Sequence, residues 1–128
     1  MVKLTPYLFE WIRLAEQDEK LAVFALKDST LLEPACFHAQ QLAEKYLKIF
    51  ILFHNQRFNK THNLTDLVQL CSQIDSDFNS LLTESDELTE FYIESRYPVK
   101  SSEITQKDAK KALTVAKRIK KFVVERLK

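Results

Sequence analysis

Hydrophobic positions recur at helical spacing along almost the whole chain. Trp11, Leu14, Ala15, Leu21, Ala22 and Ala25 repeat mostly at three-, four- and seven-residue intervals, the period of an α-helix with one apolar face. Thr5-Pro6 just before them supplies an N-cap and a proline at the first helical position, which predicts a first helix over residues 6–28. Glu33-Pro34 opens a second, running to about residue 55, with Ala39, Leu42, Ala43, Tyr46, Phe50 and Phe53 as its core stripe. Its second half, Tyr46-Leu-Lys-Ile-Phe-Ile-Leu-Phe53, is apolar nearly all round. Such a helix is either central in its fold or buried in an oligomer. A small bundle offers little protein to cover its far side, so the expectation is a self-association surface.

Residues 54–62 form a polar loop. Asn63, with Asp66 three residues later, resembles a capping box and opens a short helix through Leu64, Leu67, Val68 and Leu70. Ser72 to Asn79 reads as a second loop. A fourth helix covers 81–95 with Leu88, Tyr92 and Ser95 inward, and Pro98 disfavours helical backbone at Tyr97. Thr105 with Asp108 starts a fifth helix, whose inward positions are Ala109, Ala112, Leu113, Ala116, Ile119, Val123 and Leu127. No stretch alternates like a strand over more than four residues. The predicted architecture is all-α: an up-and-down antiparallel four-helix bundle with one short extra helix, a single domain over residues 1–128.

Composition narrows the chemistry. Glycine is absent, which excludes Gly-rich phosphate loops and dinucleotide fingerprints. Cys36 and Cys71 stand apart, as two reduced, partly buried thiols of a cytoplasmic protein would. No basic segment followed by an apolar one opens the chain, so no signal peptide is expected. The longest apolar run, Ile49 to Phe53, is too short to span a bilayer, so no membrane role is expected. Net charge is +1, yet charge is segregated: residues 74–103 hold eight acids and two bases, and residues 105–128 hold nine bases and two acids. Two neighbouring antiparallel helices that attract each other explain this most simply. The alternative is a basic face for nucleic acid or an acidic partner. Only Phe122 interleaves the basic positions of that helix, so base stacking is not indicated.

Several polar residues interrupt the apolar pattern. Asp18 lies on the apolar stripe between Ala15 and Ala22 and needs a cation or donor from another helix, because a lone buried charge is costly. Cys36-Phe-His-Ala-Gln-Gln-Leu-Ala-Glu-Lys-Tyr-Leu-Lys48 places a histidine, two glutamines and lysines inside an apolar run. His38 and Lys45, seven residues apart, share one flank of that helix. His62-Asn-Leu64 and Tyr92-Ile-Glu-Ser-Arg-Tyr-Pro98 complete the set. The candidate ligand-binding residues are His38, Lys45, His62, Tyr92 and Arg96. Arg96 offers a bidentate fork to a phosphate, and Lys45 and a histidine offer further donors. Structural readings stand beside these: Asp18 pairs with Arg96, Tyr92 packs, His62 assists the following helix, and Asn63 caps it. Histidines at 38, 54 and 62 match no zinc pattern, and neither a metal nor a cofactor is expected.

Taken together, Trp11, Ala15 and Asp18, the segment Cys36 to Lys45, His62-Asn-Leu64 and Ser95-Arg-Tyr-Pro98 make the chain resemble a HEPN domain over almost its whole length. The resemblance implies a helical bundle that usually forms a homodimer. It further implies one of two roles. Many stand-alone members act with a separately encoded minimal nucleotidyltransferase, in toxin–antitoxin or nucleotide-handling pairs. Others are metal-independent ribonucleases that carry an arginine, a spacer of four to six residues and a histidine. Here Arg96 is followed by Tyr-Pro-Val-Lys-Ser-Ser-Glu103, and no histidine occurs after His62. The usual ribonuclease motif is therefore absent. The expected function is a non-catalytic nucleotide-binding and interaction module beside a nucleotidyltransferase. The alternatives are a ribonuclease toxin in which His38 or His62 replaces the missing histidine opposite Arg96, and a purely structural scaffold.

Overall fold

The computed structural model describes residues 4–58, 60–96 and 104–128, and of residues 91–96 the backbone only. Five α-helices follow in order: α1 Pro6–Leu26, α2 Leu32–Phe53, α3 Leu64–Ile74, α4 Leu82–Arg96 and α5 Gln106–Val124. A 3-10 helix, Ser76–Leu81, joins α3 to α4. Among the described residues there is no strand. No helix among them is long and apolar enough to cross a membrane. The fold is the all-α bundle expected.

The helix ends follow local chemistry. The Thr5 hydroxyl accepts from the Leu8 N–H at 3.2 Å ahead of Pro6. Thr105 and Asp108 form a reciprocal capping box at α5. At α3 the box is only half made. The Asn63 carboxamide accepts from the N–H of Thr65 and Asp66, while the Asn63 N–H donates to the Thr61 hydroxyl instead. α2 stops in a Schellman motif: Gln56 N–H reaches the Ile51 carbonyl (3.1 Å), and Asn55 N–H reaches that of Leu52 (2.9 Å). Asn55 supplies the left-handed residue, φ 57°. The segment expected to be a loop over 72–79 is largely helical. Asp75 caps the 3-10 turn through Asp77 N–H, and Phe78 is buried between Phe50 (4.4 Å) and Phe122 (4.9 Å). Burying one aromatic ring fixes a stretch whose polar composition argued for a loop.

α2 is the central helix. It packs on α1, α3, α4 and α5, and Leu47, Ile49, Phe50, Ile51 and Phe53 are all buried within the one chain. This corrects the expectation that its apolar second half is a self-association surface. The short α3 and the 3-10 turn cover the side that a plain four-helix bundle leaves open. The face of α1 is corrected too. Leu8, Ala15, Asp18, Ala22 and Ala25 are buried, but Leu14 and Leu21 are exposed. Leu14 and Leu21 each precede a buried alanine by one residue, about 100° round the helix, and the alanines are what lets α1 approach α2.

Charge segregation resolves as mutual attraction on one side. Arg118 of α5 pairs with Glu84 of α4 at 2.7 Å, and Lys111 pairs with Glu87 at 2.7 Å. Arg126 reaches Asp75 (3.1 Å) and lies 3.6 Å from the Phe122 ring centroid.

Candidate ligand-binding site

The packing of α1 against α2 builds a compact ionic cluster. Asp18, only 7% exposed, projects from the buried face of α1. Its Oδ1 lies 2.8 Å from His38 Nδ1, and its Oδ2 accepts from Lys45 Nζ at 2.5 Å. His38 and Lys45 are seven residues apart on α2, two turns on one face, so one carboxylate spans both. The expected cation for Asp18 therefore comes from α2. The alternative tie to Arg96 falls on a side chain outside the described residues, as do the site expectations for Tyr92. Tyr97 and Pro98 lie outside them as well.

The geometry orients His38. Lys45 satisfies one oxygen of Asp18, and the other faces the imidazole. A carboxylate only accepts, so His38 Nδ1 is the donor, which leaves Nε2 on the side of the ring away from Asp18. The His38 and Lys45 side chains are 25% and 21% exposed, so both reach solvent beside the carboxylate that anchors them. An anion at this edge would meet Lys45 N–H donors beyond the one spent on Asp18.

His62 belongs to a different cluster. Its Nδ1 lies 3.1 Å from Glu44 Oε1, and its carbonyl accepts from the Gln40 carboxamide at 3.0 Å. Glu44 is buried and also accepts from Lys48 at 3.0 Å. Adjacent residues on a helix point about 100° apart, so Glu44 and Lys45 face different ways although they are neighbours in sequence. His62 thus clasps the start of α3 to α2 rather than assisting its own helix end or joining His38. The signal for Gln40 and Glu44 was present in the sequence. Their i,i+4 spacing puts two polar groups on one face of an apolar run.

A third polar group was not anticipated. Tyr46, a core position, donates its hydroxyl to Glu16 at 2.9 Å. Lys120 of α5 donates to Glu16 (2.8 Å) and Glu19 (2.7 Å). Burial pushes the Glu16 carboxyl up, yet hydrogen bonds from Lys120 and Tyr46 outweigh it and hold the group below the ordinary value. Burial likewise works against the Lys120 ammonium, and the two carboxylates overcome it and raise its pKa. Burial raises the Tyr46 hydroxyl strongly, with Glu16 adding to the effect. This network joins α1, α2 and α5 and keeps the α1–α2 edge in register. Among the described residues no group of three or more acidic, histidine or cysteine side chains is placed to hold a metal.

The HEPN domain model matches residues 9–127. The chain belongs to the HEPN domain family. Two solved structures share its fold nearly end to end. ST0689, an archaeal HEPN homologue, is 29% identical with a TM-score of 0.73, over 94% of this chain and 98% of its own. TT1696 from Thermus thermophilus is 28% identical with a TM-score of 0.77, over the same shares. No curated protein matches the sequence. The Asp18–His38–Lys45 cluster of this HEPN domain thus sits on a family scaffold, joined by helices that the matched region spans.

Proposed function

We propose that this HEPN domain is a non-catalytic module that binds the phosphate of a nucleotide and acts with a separately encoded minimal nucleotidyltransferase, as one member of a toxin–antitoxin pair. The observation that carries it is the edge where buried Asp18 fixes both His38 and Lys45 while each keeps a solvent-facing side. A preorganised cation and an oriented imidazole suit a phosphate group. The homodimer that goes with this reading uses α1. Tyr7, Leu14 and Leu21 are exposed and seven residues apart, the spacing of a helix–helix seam.

The test is a nucleotide titration followed by the fluorescence of Trp11, whose ring lies 6.2 Å from that of Phe58. Saturable binding that falls at least about tenfold in Lys45→Met is expected, since a charged hydrogen bond contributes about 1.5–3 kcal/mol. Binding unchanged in Lys45→Met and His38→Ala would refute the site. A protein that binds no nucleotide and stays monomeric at micromolar concentration would leave only the scaffold role.

One observation favours a second reading, a metal-independent ribonuclease. A part-exposed histidine held by a carboxylate at Nδ1, with Nε2 left for a substrate, suits a general base. RNA cleavage in EDTA that disappears in folded Arg96→Ala and His38→Ala variants would establish it, and no cleavage would dismiss it.

A further inference from the structure

We propose that the outer groove between α1 and α5 is a docking surface for single-stranded nucleic acid, separate from the Asp18–His38–Lys45 edge. The bases of α5 divide into two sets. Those facing α4, and Lys120 facing α1, are paired with acids, whereas Lys107, Lys110, Lys117 and Lys121, with Lys128 beyond the helix end, make no ion pair among the described residues. Lys110, Lys117 and Lys121, spaced by seven and four residues, form one exposed row about 16 Å long, and Lys128 follows beyond the helix end. α1 lies antiparallel beside it. Gln106 donates to the Leu26 carbonyl at one end, and Lys120 holds Glu16 and Glu19 further along.

The groove floor carries two adjoining depressions of about 230 and 360 Å³ that share Glu19. Lys20, Phe24 and Lys27 border the first, and Lys117, Lys121 and Val124 border the second. Lys20 and Lys27 likewise make no ion pair among the described residues. Glu19 of the floor and the nearby Glu16 are both tied to Lys120, and Lys20, Lys27, Lys117 and Lys121 around them make the rim cationic.

Aromatic faces complete the surface. Phe24 is 66% exposed, and Phe9, seven residues before Glu16 and so on its face, is 56% exposed. Within α5 alone only Phe122 interleaves the basic positions, and packing supplies further rings from α1. Unpaired lysines in a row, with exposed rings beside them, match the two requirements of sequence-tolerant single-strand binding: a track for the phosphates and platforms for the bases. An acidic protein segment would use the lysines but would not need a planar stacking face.

The test is fluorescence anisotropy with labelled 12-mers of deoxythymidylate and of uridylate in EDTA; the deoxy strand has no 2′-hydroxyl to support cleavage. Expected is binding of one or both strands that weakens steeply with salt, the slope reporting the phosphates neutralised. Phe24→Ala, at an exposed position, should weaken binding about fivefold or more. Lys117→Glu/Lys121→Glu should weaken it at least tenfold, while Lys60→Glu leaves it within about twofold. Absence of binding to either strand at 50 mM salt would overturn the proposal. So would equal losses in Lys60→Glu, which mean unspecific attraction. Insensitivity to Phe24→Ala would also overturn it, and would point to an acidic protein partner.

Discussion

Replacing Lys45 by methionine keeps the stem that packs along α2 and removes the cation that sits 2.5 Å from Asp18. Asp18 is then a buried carboxylate with His38 as its remaining partner. Breaking a buried pair on one side destabilises by about 3–5 kcal/mol. The low end applies here, because the His38 N–H still satisfies one carboxylate oxygen. About 3 kcal/mol corresponds to a fall in Tm of roughly 12 °C for a domain of this size. The double variant Asp18→Asn/Lys45→Met removes both charges and leaves a neutral oxygen for His38 Nδ1. It should recover at least about half of the loss, a coupling of about 2 kcal/mol. Urea denaturation followed by circular dichroism at pH 7 measures all four corners of the cycle. A double variant no more stable than Lys45→Met would refute the argument that the loss comes from an uncompensated Asp18 charge.

Four further outcomes follow from the same physics. Tyr46→Phe removes a donor to the Glu16 carboxylate and should lower stability by about 1.5–3 kcal/mol in chemical denaturation. Because the Glu16 carboxyl is held below its ordinary 4.5, its contribution is present above that pH and is lost as pH falls through the lower folded-state value. Lys120→Met should therefore flatten the acid limb of a stability profile, and an unchanged limb would refute that assignment. Cys71 is buried and burial raises its thiol, so its modification by a disulfide reagent should proceed only as fast as the protein opens. Asn63→Ala, which removes the cap of α3, should cost about 1 kcal/mol in the same denaturation assay.

Much of this protein was determined by its sequence alone. Helical periodicity, Thr5-Pro6 and the Thr105–Asp108 box are local signals, and backbone hydrogen bonding makes them act locally, so five helices and most of their core positions were legible. The need of Asp18 for a partner was legible too, since burying a charge without one is prohibitive. Which partner it takes was not. His38 and Lys45 answer because Ala15 and Ala22 let α1 close on α2, a property of two surfaces meeting rather than of either helix. The same holds for α2 itself. An apolar circumference says that something covers the helix, but only the placement of α3 and Phe78 decides that the cover is the chain's own. His62 and Lys45 likewise looked like one set in sequence and were separated by the 100° step between Glu44 and Lys45. The groove between α1 and α5 exists only in three dimensions. Its lysines come mainly from one helix and its rings from the other, and antiparallel packing of segments about a hundred residues apart brings them together.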